Sequence, residues 1–145
     1  MKGGIQMQNG LAIEPASDAD IPALADLWHR CNLTVPYNDP VEDIAFARAQ
    51  PNSEVLVGRI GAEIVASVMV GHDGHRGWLY YVAVDPDHQK SGFGAEIVRS
   101  GEDWLRARKV RKSMLMIRDT NTAVRAFYER IGYEVAPRTV MQRLL

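Results

Sequence analysis

The sequence predicts one α/β domain (α+β in some schemes), built on a mixed sheet with an antiparallel first half and a parallel central pair, flanked by about four helices. Three observations predict it. β-Branched runs at 55–59 and 64–70 and a third strand pattern at 78–84 are separated by glycine-containing reversals, the pattern of an antiparallel meander. A helical-period stripe then lies between two strand patterns, which requires a right-handed parallel crossover. Finally, 145 residues with 46% hydrophobic and 24% charged side chains suit a single core. A domain of that size buries about 70% of its unfolded surface without disulfide or metal staples.

The elements follow in order. Residues 1–10 hold one lysine, three glycines and no apolar run, so they read as a flexible leader rather than a signal peptide. The domain proper is 11–145. Residues 11–13 are a short strand. Ser17 and Asp20 resemble a capping box, after which Ile21, Leu24, Ala25 and Trp28 form one helical stripe to about Cys31. Pro22 fits the first turn of that helix. Two prolines and an Asn-Asp pair make 33–40 a loop, and Asp39 N-caps a second helix through Ile44 and Phe46. The hairpin at Gly61 and a reversal over 71–75 complete the meander. A third helix carries Ile97, Val98, Gly101, Trp104 and Leu105 to about Arg108. Residues 113–118 read as a strand with Met114 and Met116 in the core. Val124, Phe127, Tyr128 and Ile131 form the next helical stripe, stopped by Gly132. Residues 140–144 read as a last strand.

Composition excludes several classes of function. A net charge of −1 and a pI near 6.4 provide no general attraction to nucleic acid or to anionic membrane. No run approaches 18 apolar residues, so no transmembrane helix is expected and the chain reads as cytoplasmic. Cys31 is the sole cysteine and reads as a buried thiol. His72, Asp73 and His75 reach a minimum ligand count, but no second cluster closes a metal site, so a polar turn is the expectation and no metal is assigned.

The segment that carries chemistry is 82–94, where a strand exits into a loop that ends in two glycines at a helix start. Successive N–H groups at a helix N-terminus cradle phosphate, and glycine lets the ligand approach the backbone. The dinucleotide fingerprint fails because Ile97 stands where a third glycine belongs, and no Gly-Lys-Ser/Thr occurs. Alone, Gly92-Phe93-Gly94 is equally a structural turn. Gln89-Lys90-Ser91-Gly92-Phe93-Gly94, however, resembles the Gln/Arg-x-x-Gly-x-Gly/Ala loop of the GCN5-related N-acetyltransferases, the GNAT family. Asn121, Phe127-Tyr128 and Gly132-Tyr133 resemble that family's second signature. Trp28, Arg30-Cys31, Asn38-Asp39-Pro40, Asp73 to Gly77 and Tyr80-Tyr81 look like its YpeA-type branch.

The resemblance implies an acetyl-CoA-dependent N-acetyltransferase in which an amine attacks the thioester directly. It places backbone groups of Val82, Ala83 and Val84 on the pantetheine arm. Gln89, Lys90, Ser91, Gly92, Phe93, Gly94 and Ala95 take the pyrophosphate, and Asn121 the pantetheine or a linking water. Tyr128 is the candidate general acid, because a phenol near pKa 10 can protonate a departing thiolate. The base is open. Trp78 and Met116 stand where well-studied members carry glutamate, which leaves Asp73, His75 and Tyr81. The acceptor is an amine, whether a small molecule, a protein N-terminus or a lysine, and a homodimer is compatible with the family. A non-catalytic acyl-CoA-binding sensor of the same fold is the rival expectation.

Overall fold

The computed structural model describes residues 6–8 and 10–145, the first three by backbone alone. The chain divides into two units, Met1–Leu115 and Met116–Leu145.

The first unit holds a six-stranded sheet in sequence order: β1 (Gln6–Gln8), β2 (Leu11–Pro15), β3 (Ser53–Ile60), β4 (Glu63–His72), β5 (Gly77–Val84) and β6 (Ser113–Met114). The first five pair antiparallel and β6 lies parallel to β5. Helices α1 (Ile21–Arg30), α2 (Pro40–Arg48) and α3 (Phe93–Ala107) complete it. Part of the expected leader is therefore a strand, since Gln6–Gln8 pairs with Leu11 to Ile13; residues 1–5 and 9 lie outside the described residues.

Local chemistry accounts for the boundaries. The Ser17 amide and hydroxyl both donate to Asp20 Oδ2 (2.8 and 3.1 Å), so the expected box is present, although it caps a short 3-10 turn ahead of α1. Asp39 Oδ1 accepts from the Val41 amide at 2.9 Å and Pro40 occupies the first turn of α2. The hairpin turns at Gly61, in left-handed conformation with φ +59°.

Opposed residues locate the two faces of the sheet. Val55, Val57, Ser67 and Met69 share the face covered by α1 and α2, where Leu24, Leu27, Trp28, Ile44 and Ala47 complete a buried cluster. Val68 and Leu79 lie against Gly101 of α3 on the other face. α3 approaches closely at Gly77, where a Cβ would stand 2.5 Å from Leu105 Cδ1 and the leucine would have to shift. β5 carries a bulge opposite Val68: Met69 pairs with Tyr80, but Ser67 pairs with Ala83. The bulge switches the face of every later residue, so Tyr81 turns toward α1 rather than following Leu79.

Two expected strands are corrected. The strand expected over 113–118 is two residues long, since its ladder ends at the Trp78–Met114 pair, short of the bulge that takes β5 out of line. Met116 is 51% exposed rather than packed in the core. Residues 140–144 form no strand, so the parallel pair closes the described strand order. An apolar run has no strand character without a ladder to satisfy its backbone.

The second unit is organised by α4 (Thr122–Arg130). Asn121 Oδ1 caps it, accepting from the Val124 amide at 3.2 Å. Gly132 ends it at φ +106°, with the Tyr133 amide on Tyr128 O (2.9 Å) and the Gly132 amide on Glu129 O (3.2 Å), a Schellman closure. No helix among the described residues is long and apolar enough to cross a membrane.

Candidate active site

The strand that exits into the glycine-rich loop is β5. Its ladder with β6 involves only Gly77 and Trp78, so within the described ladders Leu79 to Val84 pair on the β4 side alone. Val84 O accepts from Gln89 Nε2 (3.2 Å) and from the Cys31 thiol (3.3 Å). The loop begins at Asp85, which is 2% exposed. Its Oδ1 accepts from the Asp87 amide (2.9 Å), opening a 3-10 turn over Pro86–His88, and its Oδ2 pairs with Arg30 Nη1 (2.9 Å). Together these hold the carboxyl below its usual range, with the Asp87 N–H the largest cause and burial opposing it.

Lys90 (φ +67°) and Gly92 (φ +86°) then take left-handed conformations that turn the chain into α3. In α3 the Glu96 amide, on Gly92 O at 3.2 Å, is the first to find a backbone acceptor among the described residues. The N–H groups of Phe93, Gly94 and Ala95 precede it at the positive end of a 15-residue helix. A Cβ built at Gly92 meets nothing within 4 Å, so the space over the loop is open. The N–H groups of Phe93, Gly94 and Ala95 therefore have the local geometry that suits an anion, at the end of the segment 89–95 singled out from sequence.

Tyr81 sits at the bulge with φ +51°, a strained conformation for an aromatic residue. Three contacts hold it there. Its ring stacks on Trp28 (centroids 3.7 Å apart, planes within 3°), and its hydroxyl donates to Asp43 Oδ2 at 2.9 Å. Its carbonyl accepts from Ser67 Oγ (2.9 Å), which in turn accepts from Trp28 Nε1 (2.9 Å). Burial first, then the Asp43 carboxylate, push this phenol up to about 12.

The other two candidate bases lie in the β4–β5 turn. Asp73 Oδ1 accepts from the amides of His75 (2.9 Å) and Arg76 (2.7 Å), which lowers its pKa, the Arg76 N–H contributing most. His75 is exposed beside Arg76. Tyr81 lies four positions after Gly77, about 13 Å of strand, so the turn and the bulge are distinct places. Residues 33–39 border a cleft of about 550 Å³ lined by Ala25, His29, Asn38 and Asp39 among others. Asn38 also hydrogen-bonds the Tyr81 hydroxyl. Among the described residues no group of three His, Cys, Asp or Glu side chains gathers as for a metal ion.

In the second unit, Asn121 and Tyr128 stand seven residues apart, hence on one face of α4 and about 10 Å apart along its axis. Tyr128 is 7% exposed, edge-on to Phe127 (5.0 Å) and to Tyr133 (5.6 Å). Burial pushes its phenol up to about 12.

Sequence reasoning noted Arg30 and Asp43 only as part of the branch resemblance and missed Ser67, and it gave none of their contacts, because each acts across at least 14 residues of chain. Asp85 carried a legible signal: an Asp before Pro at a strand end favours a side-chain-capped turn. Its titration is testable. Asp20, Asp73 and Asp85 all have lowered pKa values in the folded chain. For Asp20, burial pushes up but the Ser17 amide and Arg59 outweigh it. A lowered carboxyl contributes stability that is complete above the ordinary carboxylate pKa and lost as pH falls through the folded value. Tm is therefore expected to stay level from pH 7 to about 5 and to fall below about pH 4. Asp85→Asn should blunt that acid limb, and an acid limb equal to the parent's would refute the assignment.

Comparison with known proteins converges on one family. The model of the acetyltransferase (GNAT) family matches residues 21–133. An acetyltransferase of Pectobacterium atrosepticum is 42% identical over 115 residues, 79% of this chain and 82% of that protein. Among solved structures, the ribosomal-protein-S18-alanine N-acetyltransferase from Escherichia coli superimposes with a TM-score of 0.75 at 24% identity, over 87% of this chain and 79% of that one. AAC(6')-Iy in complex with a bisubstrate analogue, CoA-S-monomethyl-acetylneamine, does so with a TM-score of 0.80 at 12% identity, over 93% and 98%. At those identities the two structures speak for the fold, whereas the family match and the 42% relative speak for membership. Their agreement with the cradle after β5 leads to the conclusion that this chain belongs to the GNAT family and is an N-acetyltransferase.

Proposed function

We propose that the chain transfers an acetyl group from acetyl-CoA to an amine, with the 89–95 loop as the pyrophosphate site and Tyr128 as the general acid. The observation that carries the reading is the run of outward N–H groups at the start of α3, under open space and behind two left-handed residues. The polarity fits, since a dianionic pyrophosphate meets backbone donors and a helix N-terminus. A neighbouring fold carrying a CoA-containing bisubstrate analogue favours the same cofactor.

Acetyl-CoA supplies an activated acyl carbon and a thiolate leaving group. The chain's residues do the rest. The β5 edge over Val82, Ala83 and Val84 offers backbone groups to align the pantetheine arm, and Asn121, whose Oδ1 is engaged as a cap, retains its amide N–H₂ as a donor. Burial keeps the Tyr128 phenol protonated at neutral pH, so a proton is available for the departing sulfur. As the C–N bond forms and the C–S bond breaks, the sulfur gains the Tyr128 proton and the amine loses one. Of the three candidate bases, Asp73 is weakened by its amide donors and Tyr81 is held protonated against Asp43, which leaves His75 or water to take the amine proton, and Tyr128 regains its own proton from solvent. The cleft of residues 33–39 is the proposed acceptor side. The resemblance of the residues around Trp28, Asn38-Asp39-Pro40 and Tyr80-Tyr81 to the YpeA-type branch supports reading the chain as a member of that branch.

The test is thermal unfolding with acetyl-CoA, with ATP and NAD as controls. At 100 times Kd, linkage predicts about 2.7 kcal/mol of stabilisation, a rise of roughly 5–10 °C. A shift with acetyl-CoA alone is the expected result. No shift at millimolar acetyl-CoA would sink the loop assignment.

A further inference from the structure

We propose that Arg30, at the last turn of α1, is a positioning residue for the acetyl-CoA loop: it sets the loop's geometry through Asp85 without touching the ligand. The proposal rests on the assignment of residues 89–95 as the pyrophosphate site.

Arg30 makes two carboxylate contacts. Nε bonds Asp26 Oδ2 at 2.8 Å, one turn back on its own helix, and Nη1 reaches Asp85 Oδ2 at 2.9 Å, 55 residues away. The first is an ordinary helix pair and suffices for α1. The second engages a buried carboxylate at the junction of β5 and the loop. From Asp85 the contacts run without a gap to the start of α3. Oδ1 takes the Asp87 amide (2.9 Å) and the Asp85 carbonyl takes the His88 amide (2.8 Å). The His88 carbonyl takes the Ser91 hydroxyl (2.5 Å), and the Gly92 carbonyl takes the Glu96 amide (3.2 Å). Lys90 and Gly92, both left-handed, sit inside this chain of bonds. Their strain persists only while the surroundings determine it.

The neighbours of Arg30 act in the same direction. Trp28 stacks on Tyr81, and the Cys31 thiol bonds Val84 O. The end of α1 thus holds β5 at Tyr81, Val84 and Asp85 in turn, and Arg30 is the member that holds the loop. Removing its guanidinium leaves the Asp85 carboxylate buried without its cation; the group then takes up a proton or shifts toward water, and either change disturbs the bonds it makes. The displacement is then inherited by the amides that face the phosphates, where a misplacement of about 1 Å is costly.

The experiment compares the parent with Arg30→Met, which keeps the stem and loses the donors, and with Arg30→Lys, which restores one charged donor. Acetyl-CoA Kd is measured by calorimetry well below each Tm, alongside amide hydrogen exchange over residues 87–95. The expected result is at least tenfold weaker acetyl-CoA binding in Arg30→Met, faster exchange in the loop, and recovery of most of the affinity in Arg30→Lys. If Arg30→Met does not fold, Asp85→Asn replaces it with the same expectation. A lowered Tm with parental Kd and exchange would make Arg30 merely structural and overturn the proposal. Should the parent itself fail to bind acetyl-CoA, the loop assignment falls, while unchanged loop exchange in Arg30→Met would separately refute the link to Arg30.

Discussion

Replacing Tyr128 by phenylalanine is expected to lower turnover by about a hundredfold or more while acetyl-CoA Kd changes by less than about threefold. The substitution removes one hydroxyl and keeps the ring, so the edge-on contacts with Phe127 and Tyr133 survive. The hydroxyl belongs to a phenol that burial pushes up to about 12, so at neutral pH it is fully protonated and enters the reaction as a donor. A thiolate whose conjugate acid lies near 8.5 leaves more readily as a thiol, and positioned proton transfer contributes typically 10²–10⁴-fold. The measurement is a steady-state rate with an amine found by screening, together with acetyl-CoA Kd by calorimetry. A Tyr128→Phe rate equal to the parent's would remove the acid role, and a large loss of acetyl-CoA affinity would reassign Tyr128 to binding.

Trp28→Ala is expected to destabilise the fold by about 3–5 kcal/mol, seen as a fall in Tm of roughly 10–15 °C. Trp28 is fully buried among Leu24, Leu27, Ile44 and Val55, so truncation opens a large cavity. It also removes the stack that holds Tyr81 in its left-handed conformation and the indole N–H that orients Ser67. Trp28→Phe separates these effects. It keeps an apolar ring against Tyr81 and loses the hydrogen bond, so about 1–2 kcal/mol should be lost. Chemical denaturation of both variants checks the ordering. Equal losses would mean that the hydrogen bond, rather than the ring volume, carries the site.

Much of the proposed site could be named from the sequence because it is local. The Gln89 to Ala95 cradle is contiguous, and the left-handed turn at Gly92 asks for glycine at that position. The helix caps at Asp39 and Asn121 and the stop at Gly132 are read within four residues. The family resemblance was read from local motifs of the same kind. The leader and the strands expected over 113–118 and 140–144 were misread because β pairing is a property of two segments. Residues 6–8 find a ladder on β2, whereas 115–118 and 140–144 find none among the described residues.

The amino-acid sequence by itself determined the four helices, the strands β2 to β5 in their order and the glycine-containing turn after β5, because period, caps and glycine conformations are short-range properties. Only the tertiary structure decided which face Tyr81 occupies. Strict alternation along β5 groups Leu79 with Tyr81, yet one extra residue at the bulge sends Leu79 to α3 and Tyr81 to Trp28. It likewise decided that Asp85 meets Arg30 and that Tyr81 meets Asp43, contacts 55 and 38 residues apart. An unpaired arginine and an unpaired aspartate look alike in any sequence. They become an anchor when folding removes one of them from water and leaves the other within 3 Å of it.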